Sequence, residues 1–81
     1  MMEVQIVVKL KEGVLDPQGQ AIQRSMSRIG HDEVLSVRQG RYFELQIREN
    51  DVETVRQLSQ EIAAQILSNP LIEDFEIREI S

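Results

Sequence analysis

Residues 3–10, EVQIVVKL, alternate in polarity. Val4, Ile6, Val8 and Leu10 share one face, and Glu3, Gln5 and Lys9 share the other, with Val7 the exception. A two-residue period rich in β-branched side chains predicts a half-buried strand. Lys11 to Leu15 read as a loop. From Pro17 to Ile29 the period changes: Ile22, Ser25, Met26 and Ile29 recur on one side, with Ala21 beside them, as on an amphipathic helix. Asp16 is suited to accept backbone N–H groups as N-cap, Pro17 suits the first helical position, and Gly30 is a natural stop.

Two strand-like runs follow within VLSVRQGRYFELQIR, Val34 to Arg48, interrupted at Gln39-Gly40. Phe43, Leu45 and Ile47 face one way, and Tyr42, Glu44, Gln46 and Arg48 the other, which predicts a hairpin or bent strand pair. Asn50 or Asp51 caps a second helix, with Glu53 spaced from Asn50 as in a capping box. Its expected buried stripe is Val55, Leu58, Ile62 and Ile66, widened by Val52, Ala63 and Leu67, and Asn69-Pro70 ends it. The tail LIEDFEIREI supplies a last strand with Phe75 and Ile77 inward. The order strand, helix, strand, strand, helix, strand predicts an α+β, ferredoxin-like βαββαβ fold. Its antiparallel sheet would carry two helices on one face.

Eighty-one residues amount to one domain, 1–81, without internal repeat, linker or low-complexity segment. A chain this short buries a modest share of its surface, so a partner often completes it. There is no cysteine, which excludes disulfides, thiolate metal sites and a cysteine nucleophile, and fits a reducing cytoplasm. No apolar run approaches the roughly 20 residues of a membrane span, and MMEVQIVVKLKEG lacks the basic start and long apolar block of a signal peptide. The net charge of −5, from nine basic and fourteen acidic residues, opposes general nucleic-acid binding.

Candidate chemistry is sparse. His31 has Asp32 and Glu33 as sequence neighbours, but adjacency after a helix stop makes a solvated turn, and no nucleophile, base and orienting group assemble. Gly13 and Gly19 flank VLDPQ without the Lys-Ser or Lys-Thr of a P-loop. Arg38 and Arg41 bracket Gly40 and are candidate contacts for an anion or a partner. GRYFELQI faintly echoes an RNA-recognition strand, yet the first strand has no aromatic partner for it. Glu73, Asp74, Glu76 and Glu79 fall on both faces of the last strand and read as charged gatekeepers, not as a metal site. What remains is an interaction role. The sheet face not covered by helices carries Val7, with Val34, Tyr42 and Ile80 adding apolar area there or at its margins, which points to self-association as a dimer or higher oligomer.

Three segments, VKLKEGVLDPQGQAIQ, IGHDEVLSVRQGRYFELQI and ILSNPLIEDFEI, resemble, in order and spacing, the PurS family, the small subunits of phosphoribosylformylglycinamidine synthase. Leu15-Asp-Pro-Gln-Gly19 is the most specific string, and Val37 to Gly40 and Asn69 to Asp74 support it. His31 departs from the aromatic residue more usual there. The resemblance implies a non-catalytic bridging subunit in de novo purine synthesis. Its partners would be a large synthase subunit and a glutaminase subunit that releases ammonia through a cysteine-based triad. The complex would use ATP, Mg²⁺ and glutamine, with no cofactor assigned to this chain. A ligand-sensing ferredoxin-like dimer is the alternative that the fold alone allows. Within LDPQG, Gly19 is a poor helix residue, since glycine costs roughly 1 kcal/mol relative to alanine inside a helix and less in the first turn. The expectation is that Asp16, Pro17 and Gly19 form a packed corner at or near a subunit contact.

Overall fold

The computed structural model describes residues 1–81. Its elements are β1 (Met2–Leu10), α1 (Pro17–Arg28), β2 (Gly40–Ile47), α2 (Val52–Ile62), a π-helical turn (Ala63–Leu67) and β3 (Glu73–Ile80). β1 lies in the middle of a three-stranded antiparallel sheet of order β2-β1-β3. Its register sets Ile6 opposite Phe43 on one side and opposite Ile77 on the other. A bulge between Gln5 and Ile6 shifts the β3 pairing near the chain end.

The alternation in β1 translates directly into burial. Val4, Ile6 and Val8 are fully buried and join Ile47, Val55 and Ala63 in the core. Phe43, Leu45, Phe75 and Ile77 pack against that cluster from the neighbouring strands. α2 covers this face, but along a narrower line than its apolar pattern predicts. Val55, Ser59 and Ala63 point inward at four-residue spacing, while Leu58 and Ile66 are exposed. Small residues at 59 and 63 leave room for the helix beside the large side chains of β1. After Ile62 the helix widens into the π turn, closed where Ser68 donates from both N and Oγ to the Ala63 carbonyl, at 3.0 and 2.7 Å.

The caps follow the sequence with one change. Asp51, not Asn50, begins α2, its Oδ2 accepting from Thr54 N at 3.0 Å and Thr54 Oγ1 at 2.7 Å. Glu53 therefore takes no part in a capping box; the Asn50 N–H donates instead to Glu49 Oε1 at 2.9 Å. α1 ends as a Schellman motif, with Gly30 at φ +99°, Gly30 N donating to Ser27 O and His31 N to Met26 O.

The first run of the expected hairpin, Val34 to Gln39, forms no strand. Its backbone groups are engaged elsewhere. Val34 O accepts from Gln23 Nε2 at 3.1 Å, and Gln39 N donates to Asp16 Oδ2 at 2.8 Å. The segment runs along α1 instead of joining the ladder, so the ferredoxin-like arrangement here has three strands rather than four.

α1 itself contributes nothing to the core cluster or to the layer packed against it. The molecule is accordingly long and thin, 49 × 25 × 14 Å. Its radius of gyration of 16.1 Å exceeds the roughly 12 Å of a compact chain of this length. A nine-residue strand of about 30 Å and a twelve-residue helix of about 18 Å, placed end to end, match the long dimension. α1 and residues 30–39 thus form an arm beyond the end of the sheet.

Candidate functional site

The corner expected at Leu15 to Gly19 sits where the arm meets the sheet. Asp16 is the N-cap of α1, and Pro17 occupies the first turn. The Asp16 carboxylate accepts twice, Oδ1 from Gly19 N at 2.9 Å and Oδ2 from Gln39 N at 2.8 Å. Those two bonds, the Gln39 one foremost, hold its pKa below the ordinary 3.8, and the nearby Arg38 charge adds to the effect. One side chain therefore starts the helix and fastens the returning segment to it.

Gly19 is the one buried residue of α1. A Cβ built there would lie 2.2 Å from the carbonyl oxygen of Val37 and 2.7 Å from Asp16 Oδ2. The missing side chain is what lets the backbone of residues 34–39 cross the first turn. Gln18 Oε1 accepts from Gln39 Nε2 at 2.8 Å and completes the contact. The close approach that glycine permits thus comes from within the chain.

Arg38 and Arg41 flank Gly40 but point to different partners. Arg38 Nη2 donates to the carbonyls of Leu10 and Lys11, the latter at 3.2 Å. Arg41 Nη2 donates to both carboxylate oxygens of Glu73, at 2.7 and 2.8 Å, and its guanidinium lies 5.8 Å from the centre of the Phe43 ring. Glu73 Oε1 also accepts from Asn69 N at 2.7 Å, which ties the Asn69-Pro70 turn to β2. The two arginines do not converge. Arg41 lines a cleft of about 220 Å³ with Asp16, Gln18, Gln39 and Glu73, while Arg38 borders a separate one with Lys9, Glu12 and Asp74. Neither distant carbonyls nor Glu73 leave a local mark in the sequence around residues 38–41, so these partners were not legible there.

The remaining titratable groups are dispersed. His31 Nδ1 lies 3.4 Å from Glu33 Oε1, with both side chains exposed in the turn after α1. Asp74, Glu76 and Glu79 belong to the open face of the sheet, and Glu73 to the covered face. No three His, Asp or Glu side chains gather as a metal site. No helix is long and apolar enough to cross a membrane. On the open face, burial and the neighbouring Glu44 carboxylate raise the Tyr42 pKa.

One uncovered surface is mainly apolar. Along α1, Ala21, Ile22, Ser25, Met26 and Ile29 line a shallow groove that no other part of the chain fills. Ile29 is 75 % exposed, and Leu35, on the returning segment, is 89 % exposed. A glycine corner, two internally bonded arginines and an open apolar helix face offer surface on which another protein can dock. Such a fold and site define a small assembly subunit.

Comparison with known proteins agrees with this class. The chain belongs to the PurS family, matching over residues 3–80 the family model described as phosphoribosylformylglycinamidine (FGAM) synthase. It is 40% identical over 82 residues to the phosphoribosylformylglycinamidine synthase subunit PurS of Bacillus subtilis, covering 99% of this chain and 96% of that one. The solved structure of B. subtilis PurS in its C2 crystal form superposes with a TM-score of 0.87 at 38% identity, covering 100% of this chain and 99% of that chain. PurS of Methanocaldococcus jannaschii, described as one of the subunits of formylglycinamide ribonucleotide amidotransferase in the purine biosynthetic pathway, gives 0.87 at 33% identity, with 100% and 96% covered. These relatives do not support the alternative of a ligand-sensing domain.

Proposed function

We propose that this chain is the non-catalytic bridging subunit of phosphoribosylformylglycinamidine synthase, acting in de novo purine synthesis. The observation that carries the reading is the family match across residues 3–80. The reaction amidates formylglycinamide ribonucleotide with ATP and glutamine. The large synthase subunit and the glutaminase are the partners, and ATP, Mg²⁺ and glutamine belong to them. Ammonia released from glutamine is readily protonated and lost in water, so the two active sites must stay coupled. Holding them in register is a positioning role, which carries large rate effects without donating a catalytic group. A cytoplasmic location is part of the same proposal.

Self-association belongs to it as well. The accessible surface is 5942 Å², whereas a compact monomer of 9.4 kDa exposes about 5000 Å². The excess of roughly 900 Å² is comparable to one side of a standard interface, about 800 Å². The apolar face of α1 is the natural place for a second copy, and the Asp16-Pro17-Gly19 corner lies at the base of that face.

The test is reconstitution. Synthase and glutaminase subunits are mixed with and without this chain, and glutamine-dependent amidine formation is measured. A strong dependence on the chain is expected; equal rates without it would refute the bridging role.

A further inference from the structure

We infer that Arg38 is a positioning residue that sets the angle between the α1 arm and the sheet. This rests on the bridging role proposed above and adds a device to it. The arm leaves the sheet after Leu10 and returns at Gly40, and Lys9 and Gly40 are paired across the β1–β2 ladder. Two strands of chain therefore form a narrow neck. The outgoing one contains Gly13 at φ +85°, with open space around it.

Inside the arm the returning segment is well fastened to α1. Gln23 holds Val34, Gly19 admits Val37, and Asp16 and Gln18 hold Gln39. The arm is thus one body. Between that body and the sheet the connections are few. Apart from the turn bond from Val14 N to Lys11 O, the hydrogen bonds between residues 12–39 and the rest of the chain are those from Arg38 to Leu10 and Lys11. α1 adds no apolar packing against the core. A planar guanidinium bridging two successive carbonyls at the exit of β1 resists bending of the neck in a way a single flexible donor does not. The direction in which the apolar face of α1 is presented is accordingly set at Arg38.

The chain has no cysteine, so two introduced thiols are the only sites for spin labels. R28C on the last turn of α1 and Q46C on β2 are both exposed and report the angle between arm and sheet. Double electron–electron resonance is recorded on the full chain, diluted with unlabelled protein so that only distances within one chain register. With Arg38 present a single narrow distribution is expected. R38A should at least double its width while the thermal midpoint and helical circular dichroism stay close to the parent. R38K should fall between the two. An unchanged distribution in R38A overturns the proposal. Should R38A fail to fold, R38K decides alone: broadening supports the assignment and an unchanged width overturns it. Because no other subunit is present, a negative result here leaves the reconstitution assay, and hence the bridging role, to be judged separately.

Discussion

Replacing Gly19 by alanine sets two effects of known sign against each other. Alanine favours the helix over glycine by about 1 kcal/mol in a helix interior. Its methyl group, however, would stand 2.2 Å from the Val37 carbonyl oxygen, a backbone atom held in place on both sides by the bonds of Val34 and Gln39. Overpacking of this kind costs about 1–3 kcal/mol, and a backbone obstacle places it at the upper end. The two together leave a net loss of roughly 2 kcal/mol, or a fall in thermal midpoint of about 8–16 °C for a domain this size. Thermal denaturation followed by circular dichroism, at one fixed protein concentration, measures it. Gly30 serves as the control. Its φ is +99° and a Cβ there meets nothing within 4 Å, so Gly30→Ala carries backbone strain of about 1–2 kcal/mol and no collision. A midpoint for Gly19→Ala equal to or above the parent would refute the close crossing of residues 34–39 over α1. Gly19→Val extends the test to assembly. Loss of self-association in light scattering with helical signal retained is expected of a corner near a subunit contact. Collapse of the helical signal first would make the corner purely internal.

Other expectations are simpler. Asp16 and Asp51 both have folded-state pKa values below the ordinary 3.8, because the Gln39 and Gly19 N–H groups stabilise the first carboxylate and the Thr54 hydroxyl, then its N–H, stabilises the second. Their contribution is therefore complete above that value and lost as pH falls through the folded pKa. A midpoint-versus-pH series should drop below about pH 4, and the D16N/D51N double variant should flatten that limb. Lysine at Ile22 and Ile29 should reduce the mass found by light scattering to 9.4 kDa without loss of the sheet signal, because neither side chain belongs to the core. A persistent oligomer would move the self-contact elsewhere. Ser59 is fully buried with its hydroxyl unpaired. S59A should therefore stabilise by about 1 kcal/mol, read as a rise in midpoint, and a fall would show that the hydroxyl is satisfied.

The strands β1, β2 and β3 were legible because each has one buried face, and the period of two survives in its residues. Both helices were legible for the same reason at the longer period, down to Asp16-Pro17 and Gly30 at the ends of α1. What the pattern obscured was where an apolar stripe goes. Ile22, Met26 and Ile29 form a stripe at the same period as that of α2, yet they line an open groove outside the core. Periodicity reports that a face is to be covered and not by whose atoms. Val34 to Gln39 has the composition of a strand, but Asp16, Gly19 and Gln23 capture its backbone, and that competition is tertiary. In the site, the need for glycine at position 19 was visible as a poor helix choice, while the Val37 carbonyl that explains it lies eighteen residues away.

The neck also bears on how such a chain can be altered. Because Lys9 and Gly40 are paired neighbours, everything between them is in effect an enlarged hairpin connection. Its closure entropy changes only slowly with length, and its removal or exchange leaves the β2-β1-β3 ladder and its register untouched. The arm is a cassette, open to replacement by a short turn or by a segment of different reach, grafted onto a sheet and helix that keep their own core.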